Sequence, residues 1–151
     1  MNNTVRNVTI GLIDGLTIPF ALAAGLSSII VSSRTVFISC LAIIIAYSIT
    51  MTIGAYMSAK KHEPGNVLSS ALTVGISYVA GGLLSVCPFY FIGSPLDALK
   101  YSAVITLSIL FIAGFFDSQL NNANGWAGAL RVALTGAVAG AAAFGVAGLF
   151  K

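Results

Sequence analysis

Charge is what this chain has least of: 7% of its 151 residues are Asp, Glu, Lys or Arg, four of them acidic and seven basic. A soluble domain carries about 25%, and so few charges cannot cover a globular surface of this size. A disordered chain is excluded too, because such chains lack the apolar residues that make up 58% here. Histidine occurs once, as His62, which excludes multi-histidine metal chemistry within one chain. The two cysteines, Cys40 and Cys87, sit in or at the end of apolar runs without CxxC or Cys/His spacing. They read as small buried hydrophobes, with no support for a disulfide framework or a zinc site. There is no nucleotide-binding loop and no Ser/His/Asp or Cys/His set, so no enzyme is expected. The basic residues are scattered, with Lys60-Lys61 the one adjacent pair. A phosphate-binding footprint needs clustered charge, so nucleic acid is not an expected partner. What remains is an integral membrane protein whose first partner is the lipid bilayer.

Long apolar runs are what the chain does have. A helix needs about 20 apolar residues to cross the hydrocarbon core, and five such runs are present, at 8–31, 35–59, 67–91, 96–116 and 126–150. Polar punctuation separates them near Ser33, Pro64, Pro95 and Asn122. None shows the ten-residue alternation of a membrane barrel strand. The expected fold is therefore an all-α membrane protein of five transmembrane helices in a single transmembrane domain spanning 1–151. The first run is longer than a signal-peptide core and is interrupted by Asp14 and Pro19, so it reads as a retained helix. An N-terminus on the cytoplasmic side puts Arg6, Lys60, Lys61 and Arg131 inside and Arg34, Lys100 and Lys151 outside. That bias is small, and the Lys60-Lys61 cluster decides for it.

Polar groups at membrane depth carry the functional argument. Asp14 lies about six residues into the first run; an ionised carboxylate at a helix centre costs about 2.5–3.5 kcal/mol on insertion scales, less towards the interface. It is either an interfacial carboxylate, capping or snorkelling, or one that faces a cation or proton pathway, and the second reading is preferred. Gly11 and Gly15 flank it at the spacing that lets helices approach closely, so a homodimer whose interface includes this face of the first helix is expected. Pro19, a turn further on, removes a helix hydrogen bond and leaves a carbonyl able to coordinate a cation. In the second run Tyr47, Met51 and Ala55 share a face with Thr50, Gly54 and Ser58 close by. This stripe is too polar for lipid, so Tyr47, Thr50, Met51 and Met57 are candidates for the same pathway. A methionine in an apolar helix is ordinarily core filler, but Asp14 with Met51 forms a mixed hard and soft ligand pair that favours a transition metal over an alkaline earth. Gly136 and Gly140 mark tight helix packing in the last run. Asp97 and Asp117 sit at the ends of the fourth run and read as solvated. His62 and Glu63 read as a solvated turn.

The stretch from Asp14 to Gly25, DGLTIPFALAAG, resembles the first-helix signature of the vacuolar iron transporter family. The stretch from Ser48 to Ser58, SITMTIGAYMS, is similar to that family's second-helix motif, and weaker likeness runs through Ala71 to Pro88 and the small-residue last run. The resemblance implies five spans with a cytoplasmic N-terminus and a homodimer whose ion path lies at the interface, lined by the first two helices. It implies export of Fe²⁺ or Mn²⁺ from the cytosol against counter-moving protons, with no permanently bound cofactor. Asp14 would be the pathway carboxylate and Met51 the pathway thioether, and two protomers would supply two of each. The membrane would be the plasma or inner membrane in a prokaryote and the vacuolar or another organelle membrane in a eukaryote. Two departures stand out. Ala55 occupies the position of the motif's glutamate, and the connection after the second helix is about seven residues, where iron-binding members carry a glutamate-rich helical insert. A non-transporting scaffold of the same fold, or a proton-coupled carrier of another small cation or solute, are the alternative expectations.

Overall fold

A computed structural model describes residues 3–62 and 65–150. Five long helices make up most of it: α1 (Asn3–Ile29), α2 (Ser33–His62), α3 (Val67–Val86), α5 (Pro95–Leu120) and α6 (Gly125–Leu149), with a single short turn of helix, α4 (Pro88–Phe91), after α3. All five are long and apolar enough to cross a membrane, and no strand occurs among the described residues. The expected breaks near Ser33, Pro95 and Asn122 coincide with helix boundaries: Ser33 and Pro95 open α2 and α5, and Asn122 lies between α5 and α6. Glu63 and Pro64, and the side chain of His62, lie outside the described residues, so the solvated-turn reading there has no structural counterpart.

Local chemistry explains the ends. Ser32 closes the α1–α2 turn by accepting from the N–H groups of Thr35 and Val36. Pro95 opens α5 at a position where its missing N–H costs nothing, behind Ser94 as N-cap. Asn124 caps α6 by accepting from the Trp126 N–H at 3.1 Å. Asn122 takes the left-handed conformation, with φ 56°, which asparagine tolerates better than most residues.

One boundary corrects the sequence expectation. The run 67–91 is not a single span, because Pro88 cannot donate to the helix ladder and its ring crowds the preceding turn. Helix α3 stops at Val86, Cys87 N–H bonds to the Leu83 carbonyl, and Pro88 starts α4 at its first position. The other helices run up to five residues beyond the expected limits, α1 beginning at Asn3 rather than 8.

Helix α1 sits at the centre and packs against α2, α3, α5 and α6. Lipid is as apolar as leucine, so close backbone approach rather than hydrophobic burial holds such helices together. Gly11 and Gly15 supply it: a Cβ on Gly11 would collide with the Val74 carbonyl oxygen, and one on Gly15 with that of Tyr78. Reciprocally, a Cβ on Gly81 of α3 would lie 2.7 Å from the Leu12 carbonyl oxygen. The sequence expectation that Gly11 and Gly15 form a dimer seam is thereby corrected. Their face is occupied by α3 of the same chain. Gly136 and Gly140 pack as expected, against Leu110 of α5 and Phe20 of α1.

The bundle is tight at one end and open at the other. Around the α1–α2 turn, Ala23, Val36, Cys40, Ile44, Val86, Phe89 and Ala98 form a buried cluster. Pro19 is fully buried beside it, its carbonyl accepting from the Cys40 thiol at 3.7 Å. The opposite end, where α1 begins and α2 finishes, encloses a cavity instead.

Candidate functional site

That cavity, of about 930 Å³, lies between the start of α1, the end of α2 and the start of α3. Asn7 and Ile10 line it from α1, and Ser70 and Val74 from α3. The α2 wall is the polar stripe picked out in the sequence: Thr50, Met51, Gly54, Ala55 and Ser58 all face it. Position 55 therefore shares the cavity with Met51, so a glutamate there would place a carboxylate in a lining that has none.

Helical periodicity locates what lies beyond the deep end. Asn7, Ile10 and Asp14 fall on one face of α1 at spacings of three, four and seven residues. Asp14 is thus about one turn, or about 5 Å, deeper than Ile10. On α2, which runs the other way, Tyr47 is one turn deeper than Met51; on α3, Tyr78 is one turn deeper than Val74. Tyr47 and Tyr78 stack with ring centroids 6.3 Å apart and planes 14° from parallel, and both Tyr47 and Asp14 lie within electrostatic reach of the Tyr78 hydroxyl.

The polar groups of this layer are unspent. Tyr78 is fully buried and its hydroxyl has no hydrogen-bond partner among the described residues. Leaving a buried hydroxyl unpaired costs about 1–3 kcal/mol, and such groups are rare enough to demand an explanation. Asp14 is half-buried and makes no hydrogen bond or ion pair with the described residues. Among the described residues it caps no helix end. The neighbouring hydroxyls are already engaged. Thr17 bonds the Ile13 carbonyl at 2.8 Å and Thr50 the Ala46 carbonyl at 3.2 Å.

The structure thus places Thr50 and Met51 on the cavity wall, with Asp14 and Tyr47 one helical turn beyond Ile10 and Met51 of that wall, and leaves two other candidates out. Met57 is 62% exposed on the outer side of α2. Six residues from Met51, it points about 240° around the helix. Pro19 is buried in the tight end and touches no part of the cavity. Tyr78 was missed by sequence reasoning. Its signal was available: it is a polar atom in the middle of the third apolar run, the criterion that singled out Asp14. Asp97 pairs with Lys100 at 2.8 Å on the exposed start of α5. Among the described residues no three His, Cys, Asp or Glu side chains gather closely enough to hold a metal ion, so this part of the chain offers one carboxylate, Asp14, and one thioether, Met51.

Comparison with known proteins gives a consistent picture. The sequence profile of the VIT family matches residues 5–65 and 60–148, two segments that meet at the short α2–α3 connection. Vacuolar iron transporter 1 of Eucalyptus grandis is 30% identical, over 95% of this chain and 85% of its own length. Vacuolar iron transporter 1 of Arabidopsis thaliana is 29% identical, over 93% and 83%, and Protein CCC1 of Saccharomyces cerevisiae is 24% identical, over 93% and 67%. The Eucalyptus alignment runs over 211 positions, more than the 151 residues present here. The relative therefore carries residues this chain lacks.

Proposed function

The chain belongs to the VIT family, and from that premise we propose that it carries divalent transition-metal ions across a membrane through the groove between α1, α2 and α3. The observation that supports this reading lies one helical turn beyond the groove lining: a carboxylate and a tyrosine hydroxyl, neither with a partner among the described residues, one turn beyond the level of a thioether. The substrate is Fe²⁺ or Mn²⁺, moved out of the cytosol, with the N-terminus and the groove mouth on the cytoplasmic side. Met51 meets the ion first and discriminates by softness; Asp14 supplies the charge that replaces lost hydration. The Tyr78 hydroxyl, which has no partner among the described residues, offers its oxygen to the ion or donates to the Asp14 carboxylate once metal arrives.

Proton coupling follows from the use of a single acid. A carboxylate holds either a proton or a metal ion, so metal arriving at Asp14 displaces a proton, and a proton arriving displaces metal. Exchange by competition at one group is antiport. The chain functions as a homodimer, because one carboxylate and one thioether coordinate a divalent ion poorly, whereas two copies supply two of each. The second copy closes the open side of the groove, where Tyr47 and Ile10 remain 41% and 44% exposed, and not the glycine face of α1 that α3 covers.

The test is uptake of Fe²⁺, Mn²⁺, Co²⁺ and Zn²⁺ into liposomes carrying a pH gradient. Wild type moves Fe²⁺ or Mn²⁺ with a stoichiometric proton movement. Asp14→Asn keeps the shape, removes charge and titration, and abolishes the pH-driven flux. Equal rates for the two proteins would end the antiport mechanism. Absence of any metal flux in wild type would favour a scaffold.

A further inference from the structure

At the tight end of the bundle, opposite the groove, a second cavity of about 550 Å³ opens beside the α1–α2 turn. Its walls are aromatic, with Phe37 from α2 and Phe89, Tyr90 and Phe91 from α4. The Phe37 and Tyr90 rings lie 5.4 Å apart, and Tyr90 meets Phe91 edge to face at 5.1 Å. Tyr90 and Phe91 are largely exposed, as aromatic residues are at the level of lipid headgroups.

Two polar residues at the start of α2 complete the lining. Ser33 is 3% exposed, and its Oγ has no hydrogen-bond partner among the described residues. Arg34 is exposed, and its guanidinium pairs with no described residue. The same two residues open a helix of 30 residues, so unpaired backbone N–H groups and the positive end of the helix dipole lie at this point. None of the residues lining the cavity is acidic. Asp97, at this end of the bundle, is already paired with Lys100. The polar side chains here are hydroxyls and one guanidinium, with no negative charge among them, set against an apolar aromatic wall.

We propose that this cavity binds the phosphodiester headgroup of an anionic membrane phospholipid. The Ser33 hydroxyl donates to one phosphate oxygen, the Arg34 guanidinium pairs with the others in its two-pronged geometry, and the glycerol and upper acyl chain lie along Phe37, Tyr90 and Phe91. A lipid rather than free phosphate is the occupant because the aromatic wall offers nothing to a bare anion and a good surface to a hydrocarbon chain. The site is independent of the metal path, being built from the other end of α2.

The experiment uses the full chain in nanodiscs of equal parts phosphatidylglycerol and phosphatidylcholine, released into detergent and weighed by native mass spectrometry. Phosphatidylglycerol is retained over phosphatidylcholine by about tenfold. Both carry the phosphodiester, but the choline cation neutralises it and is repelled by Arg34, and like charges at close range cost about the 1.4 kcal/mol to which tenfold corresponds. Arg34→Gln, at an exposed position on which the fold does not depend, removes the enrichment. Ser33→Ala lowers retention several-fold, yet leaves or raises the melting midpoint in lipid-free detergent, since it deletes a hydroxyl that had no partner. A purely structural Ser33 gives the reverse, a lower midpoint with the enrichment intact. Millimolar inorganic phosphate leaves retention unchanged. Equal retention of the two lipids, an enrichment that survives Arg34→Gln, or displacement by inorganic phosphate overturns the proposal.

Discussion

Helix α1 has two neighbours that flank Asp14, and it meets them in opposite ways. Against α3 the backbones touch: Gly11 and Gly15 face the carbonyls of Val74 and Tyr78, and Gly81 faces that of Leu12. Against α2 the same stretch of α1 looks across a cavity to Thr50, Met51 and Gly54, and a Cβ on Gly54 would meet nothing within 4 Å. Both neighbours carry small residues. The difference teaches that glycine spacing allows an approach without saying which partner makes it. Here α1 and α3 are fixed together and hold Asp14 and Tyr78 in place, while α2 stands off and leaves room for an ion.

The largest expected effect breaks the closed seam. Gly15→Leu drives the α1 and α3 backbones apart; overpacking costs about 1–3 kcal/mol in tolerant cores, and here the obstacle is backbone that cannot rotate away. Monodisperse protein is lost on size-exclusion chromatography. A variant that keeps its melting midpoint and only shifts from dimer to monomer would place the seam between copies after all.

That correction shows where sequence reasoning reached its limit. The five spans and most breaks were legible because length, apolarity and turn chemistry are local. That Thr50 and Met51 share a face with Gly54, Ala55 and Ser58 was legible because helical spacing alone puts them there. The partner of Gly11 and Gly15 was not, since spacing carries no address. Met57 was misplaced because it belongs to the right helix but the wrong face. Pro88 was visible, yet the apolar residues after it hid that the helix ends there. Tyr78 was overlooked because the ring makes tyrosine look apolar while its hydroxyl does not.

A middle-sized effect sharpens the comparison from the α3 side. Tyr78→Phe removes a hydroxyl without a partner, so the detergent melting midpoint holds or rises, by an amount equivalent to about 1 kcal/mol. Metal flux in liposomes nevertheless falls, by about tenfold if the hydroxyl contributes one hydrogen bond to the ion-bound layer. A fall in stability with unchanged flux would make Tyr78 a packing residue. The smallest effect belongs to the open seam. Gly54→Ala adds one methyl to empty space, and its midpoint stays within about 0.5 kcal/mol of wild type. A loss comparable to that of Gly15→Leu would show that α2 closes on α1.

The central claim, that the space between α1 and α2 is a water-filled route by which metal reaches Asp14, is open to one direct measurement. Cys40 is fully buried and Cys87 exposed, so Ala55→Cys in a Cys87→Ser background places one reactive thiol in the groove. A charged, membrane-impermeant maleimide should label it, Mn²⁺ should slow the labelling, and Asp14→Asn should abolish that protection. An Ala55→Cys thiol that stays unlabelled, or one that Mn²⁺ fails to protect while Asp14 is intact, would contradict the account.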